Sequence, residues 1–201
     1  MIDVRSITAD EMILAFLRAE IDSPTDRGKI LIHALMQLHE DRGQLIDCAD
    51  LTDERQNHAR RMLLGAARGY GRNEYLFRNF PHDTAWRLVT VTPAEVRDFR
   101  YANTEGWTQL SGSSRLVADG VRNLDQPQYG EIRGNVSGIA TRLREGDTFP
   151  ALIAVQCGSH SAQPVLMEGH TRATAYALTD LPGETDVIVG SSAIMNRWQF
   201  F

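Results

Sequence analysis

Apolar positions in this chain recur with two different periods. Met12, Ile13, Phe16 and Leu17 repeat at helical spacing. They follow Thr8-Ala9-Asp10-Glu11, a capping box with Thr8 as N-cap and Glu11 reaching back. Ser23-Pro24-Thr25-Asp26 breaks that helix and can start the next, whose stripe is Ile30, Leu31, Ala34, Leu35 and Leu38 with Gly43 as its C-terminal cap. A third helix is predicted from about Thr52, carrying Ala59, Met62, Leu63 and Ala66; Gly65, Gly69 and Gly71 weaken its end. Residues 1–80 therefore read as a helical N-terminal region, closing on the aromatic connector Tyr75 to Pro81.

The pattern then changes. Trp86 to Val91 alternates like a strand, and Thr92-Pro93-Ala94-Glu95 is a strong helix start running to about Phe99. Tyr101 to Gly130 is the least periodic stretch, a structured loop near a site or a surface connection. Val136, Ile139, Ala140 and Leu143 define a helix over Asn135 to Glu145, ended by Gly146. Ala151 to Val155 reads as a buried strand, Cys157 to Ser161 as a turn and Pro164 to Met167 as a second strand. Glu168-Gly169-His170-Thr171-Arg172 links it to a helix over Ala173 to Thr179, and Asp186 to Gly190 is a last strand. The two strands over 150–156 and 164–168 are expected to be neighbours, with a helix starting at 170–172.

Composition narrows the class. At 201 residues, 42% hydrophobic and 23% charged, the chain can bury a sizeable core. A net charge of −5 is not the basic footprint of a nonspecific duplex binder, so nucleic acid is a disfavoured partner. No apolar run reaches a membrane span, and the start carries no secretion signal, so a cytoplasmic location is expected. Cys48 and Cys157 have neither metal-type spacing nor the number for a disulfide framework; His33, His39 and His58 show no metal pattern. Lys29 is the only lysine, and the remaining basic residues are arginines, which suit bidentate contacts to phosphate or carboxylate.

The turn at 168–172 carries the chemistry. Gly169 permits a tight strand-to-helix turn and close ligand approach. The helix start offers free N–H groups to an anion, and Arg172 in its first turn can add a fork to a phosphate oxygen. Glu168 can hold a metal, accept a proton or pair with Arg172; His170 titrates near neutral pH and can act as donor or base. The alternatives stand beside these roles: an ion pair of Glu168 with Arg172 across the turn, and His170 as a simple helix cap.

Over roughly Gly130 to Gly190, the chain resembles the ParB/sulfiredoxin-like superfamily. The resemblance rests on Gly146 to Pro150, the strand Ala151 to Val155, and Glu168 to Ala175 with Gly169, Arg172 and Ala175 in the superfamily's pattern. It implies an α+β fold in which the helical N-terminal region, 1–80, packs on a small mixed sheet within an α/β domain over 81–201, core 130–190. Sulfiredoxins have a cysteine directly after the glycine, where this chain has His170; Cys157 lies across the hairpin. Partition proteins have a Glu-Arg-Arg sequence there and a helix-turn-helix domain after the module. The order acid, glycine, histidine, any residue, arginine is closest to the free-serine kinase branch. That branch implies ATP or ADP with Mg²⁺ and phosphotransfer to a small hydroxylated molecule. The catalytic candidates are Glu131, Glu168 and His170, with nucleotide or phosphate held by Gly169, His170, Thr171 and Arg172. Glu131 stands before the first module helix, where the branch places a catalytic glutamate, or is a solvated loop carboxylate. Ser111, Ser113 and Arg115 either bind a substrate anion or form an ordinary connection. No residue is expected to form an all-protein metal site. A non-enzymatic nucleotide-binding regulatory module and a metal-dependent phosphodiester hydrolase are the alternative functions.

Overall fold

A computed structural model describes residues 1–23, 26–158, 163–181 and 183–201. Thr8 closes the expected capping box with Glu11 and opens α1 (Ala9–Glu20). Helix α2 covers Asp26–Leu38 and ends at His39, which adopts a left-handed φ of 54°. Gly43 begins a short π-turn, Gly43–Asp47, rather than capping α2. Asp53 caps α3 (Glu54–Arg68), and left-handed Gly69 ends it, as the glycine cluster predicts. Of the first helix break, Pro24 and Thr25 lie outside the described residues, as do 159–162 of the hairpin turn.

The first residues depart from the helical reading. Ile2–Ile7 is a strand, β1, antiparallel to β2 (Ala85–Val91). It lies at the sheet edge, with Ile2 and Val4 exposed, so no buried face marks its period. At the expected helix start, Thr92 forms a second capping box with Glu95 and opens α4 (Pro93–Arg97). The aperiodic stretch that follows folds into α5 (Glu105–Ser111) and α6 (Val117–Asn123). Each has seven residues, too few for a 3.6-residue period to repeat visibly. Helix α7 is Gly130–Arg144, β3 Leu152–Cys157, β4 Val165–Glu168, α8 His170–Thr179 and β5 Thr185–Ser192.

The result is an α+β protein on a five-stranded mixed sheet ordered β1-β2-β5-β3-β4. β3 and β4 pair antiparallel, as expected; α8 returns the chain so that β5 lies parallel to β3. Alternation along the strands feeds two cores. Ile153, Val155, Val165, Met167 and Ile188 pack against α1, α2 and α3. Leu152, Ala154, Leu166, Val187 and Val189 pack against residues of α4 to α8. β3 is thus buried on both faces, the reason it reads as an unbroken apolar run. Outside β4, the Arg100 N–H donates to the Pro164 carbonyl at 2.9 Å, and the Leu166 N–H to that of Arg100 at 2.7 Å. This short pairing covers the sheet edge and brings Tyr101 and Ala102 beside the start of α8. No helix among the described residues is long and apolar enough to cross a membrane.

Candidate functional site

The strand-to-helix turn has the expected form. Gly169 sits at φ 92°, the left-handed N-cap of α8. A Cβ there would lie 2.6 Å from Leu152 Cδ2 and 3.0 Å from Arg172 Nη2, so both backbone conformation and packing require glycine. The first helical bond is from the Ala173 N–H to the Gly169 carbonyl, 2.8 Å. The N–H groups of His170, Thr171 and Arg172 precede it and have no intrahelical acceptor. No side chain among the described residues caps them.

His170 opens the helix and is partly buried. Its ring lies 5.3 Å from Trp107 and 5.9 Å from Tyr101 between centroids, tilted by 25° and 14°. Tyr101 and Trp107 are themselves 4.8 Å apart at 26°, so three near-parallel rings stand at the helix start. Tyr101 is fully buried; its hydroxyl meets Thr174 Oγ1 at 2.7 Å. Gly120 leaves room for it, since a Cβ there would stand 2.6 Å from the phenol oxygen.

His170 Nε2 accepts a hydrogen bond from the Ala102 N–H at 3.3 Å. An accepting nitrogen is unprotonated, so the neutral ring carries its proton on Nδ1. Burial pushes the His170 pKa down to about 4; Glu168 opposes, while Arg27, Arg68 and Arg172 add to the depression. Near-neutral titration, the sequence expectation, gives way to a neutral donor at pH 7.

Arg172 turns inward. Nη1 donates to the carbonyls of Pro150 and, at 3.3 Å, Ala151; Nη2 reaches Glu168 Oε1 at 3.4 Å. The guanidinium thereby ties the first turn of α8 to the entry of β3. The ion pair across the turn, one of the sequence alternatives, is present. Glu168 is shared: its Oε2 lies 3.8 Å from Arg68 Nη2 at the end of α3. Arg68 in turn holds the buried Glu20, with Nε donating to Oε2 at 2.9 Å and Nη2 to Oε1. Two acids and two arginines thus form one charge-balanced chain between α1, α3 and the turn.

The other candidates lie as follows. Glu131 is exposed in the first turn of α7, which begins at Gly130 rather than Asn135, and has no partner among the described residues. Thr171 is partly buried. Ser111 is buried and donates to the Trp107 carbonyl at 2.7 Å within α5, while Ser113 is exposed. Arg115 is buried at a left-handed φ of 56°. Glu168, Gly169, His170, Thr171 and Arg172 come together; Tyr101, Ala102, Arg68 and Glu20 join them without having been singled out. The Arg68 and Glu20 contacts span more than 40 residues of sequence and carry no local signal. No three His, Cys, Asp or Glu side chains among the described residues could hold a metal ion together.

No protein family, no curated protein and no solved structure matches the chain.

Proposed function

We propose that this protein binds the phosphate of a nucleotide or similar small molecule at the start of α8, within a ParB/sulfiredoxin-like fold. The observation that carries the reading is the uncapped helix start with His170 as its first residue and a ring stack beside it. The donors offered there are neutral: three backbone N–H groups and the His170 Nδ1–H, backed by the helix dipole. The base of a nucleotide would be served by the partly exposed Trp107.

The specific activity we infer is phosphotransfer to a small hydroxylated acceptor, with ATP or ADP as donor. Mg²⁺ would enter with the nucleotide and neutralise part of its phosphate charge. Such transfer needs positioning and charge neutralisation more than covalent chemistry. Glu131, unpaired in the first turn of α7, is the acid assigned to the acceptor. Glu168, held between Arg68 and Arg172, instead positions the turn.

Those same ion pairs, with the weak basicity of His170, favour a second reading, a nucleotide-binding regulatory module without turnover. Calorimetric titration with ATP, ADP, GTP and CTP, with and without Mg²⁺, tests binding. Thr171→Glu places a carboxylate at the helix start and should abolish it while leaving the fold intact. Phosphorus NMR then separates the readings: Glu131→Gln should slow turnover by ~10²–10⁴-fold, whereas no turnover with any acceptor leaves the module. Binding unchanged in Thr171→Glu would remove the α8 site.

A further inference from the structure

Four arginines are buried among the described residues: Arg60, Arg68, Arg115 and Arg172. A guanidinium stays protonated in proteins, so each buried one needs acceptors and a counter-charge. Arg60 donates to the carbonyls of Leu45 and Asp50 and to the side chains of Gln56 and Asn57, with Asp10, Asp50 and Asp53 supplying negative charge. Arg68 holds Glu20, and Arg172 holds Glu168 and two carbonyls.

Arg115 is the exception. It is 7% exposed, and its one side-chain acceptor among the described residues is the Phe200 carbonyl, 3.3 Å from Nη1. No carboxylate among the described residues is within ion-pair distance of it. Beside it lies Arg100, of like sign, whose Nε donates to the Ser114 carbonyl at 3.2 Å and which has no carboxylate partner among the described residues. The pair is held firmly: the Tyr101 N–H donates to the Arg115 carbonyl at 2.7 Å, and Arg100 bridges to Leu116. The backbone of Arg115 is left-handed, at φ 56°, at a cost of about 1 kcal/mol. The Asn103 N–H shares the Phe200 carbonyl with Arg115, and one residue on the Thr104 hydroxyl is buried without a partner among the described residues.

We propose that Arg115 and Arg100 form an anion site, separate from the α8 turn, for a small oxyanion group, phosphate or carboxylate. The guanidinium fork matches two oxygens of either group, and the missing counter-charge is the ligand's. The site does not depend on nucleotide binding at α8.

The test is thermal unfolding of the full chain while sodium phosphate, or in a second arm sodium acetate, replaces chloride at constant ionic strength. The wild type should gain stability saturably in at least one arm, and the responding arm identifies the group. Arg115→Asn removes the charge and suits a left-handed backbone; it should lose the response. Arg100→Gln should raise the half-saturating concentration by about tenfold or more, and reads the site alone if Arg115→Asn does not fold. Thr171→Glu, which alters only α8, should keep a saturable response that Arg115→Asn lacks. A wild type indifferent to both anions overturns the proposal. So does a response unchanged in both arginine variants, or one lost in Thr171→Glu but kept in the arginine variants, which would place the anion at α8.

Discussion

Acidification probes His170 more sharply than any truncation. Its folded pKa of about 4 lies below the ordinary 6.5 because the ring is stacked and buried rather than solvated. Between those values the unfolded chain takes up a proton that the folded chain refuses. Stability is therefore fully present above pH 6.5 and declines as pH falls toward 4. Over the whole window this group accounts for about 3 kcal/mol, of which about 2 kcal/mol is lost between pH 7 and pH 5. His170→Phe retains a ring for the stack but cannot titrate. It leaves the Ala102 N–H without its acceptor, at about 1–3 kcal/mol, a cost that does not vary with pH. Urea unfolding of both proteins at pH 7, 6 and 5 should show the wild-type advantage shrinking by about 2 kcal/mol across the series. Carboxylates held low by partners, such as Asp22 beside Arg42 and Glu11, which accepts the Thr8 N–H and pairs with Arg5, titrate in both proteins and cancel in the difference. A difference constant with pH would mean that the imidazole is solvated, and the neutral-donor role would fall with it.

Gly169→Ala should cost about 2–5 kcal/mol, from the left-handed backbone and the contact with Leu152, read as a lowered melting temperature. Arg68→Met leaves Glu20 buried and unpaired and should cost about 3–5 kcal/mol by urea unfolding; the double change with Glu20→Leu should recover most of it. Cys157 donates weakly to the Ala193 carbonyl and stands apart from the turn, so Cys157→Ser should leave nucleotide affinity within twofold of wild type by calorimetry.

Local chemistry was legible in the sequence. Thr8 with Glu11 and Thr92 with Glu95 form the two capping boxes, and Gly169 takes the left-handed turn, because each rests on residues within four positions. β3 was legible because both its faces are buried. β1 was not: its six residues become a strand only by pairing with β2 some 80 residues away, and neither face is buried enough to impose alternation. α5 and α6 escaped for shortness. The inward turn of Arg172 and the low pKa of His170 were beyond reach for a different reason. Both depend on what packs around the turn, Pro150 and Ala151 in one case, Tyr101 and Trp107 in the other.

The short motif over 168–172 therefore has two layers of cause. Gly169 is required by its backbone angle and by Leu152, and Arg172 by the carbonyls at the entry of β3. Glu168 answers both Arg172 and Arg68. Those three residues would be demanded by the fold even if nothing ever bound. Thr171 is under no such demand: it is only partly buried, its side chain makes no bond among the described residues, and its N–H is left to the outside. The Nδ1–H of His170 likewise has no partner among the described residues, the ring's hydrogen bond being at Nε2. In the proposed site, ligand binding at the turn would rest on backbone N–H groups and one neutral imidazole, with the charged residues as the frame that holds them in place. Such a site neutralises little charge by itself, and an anionic ligand must bring a cation or find one elsewhere on the protein. Mg²⁺ on the phosphates would meet that need at α8. At Arg115 and Arg100 the balance runs the other way, because there the protein supplies two positive charges and, among the described residues, no carboxylate pairs with either.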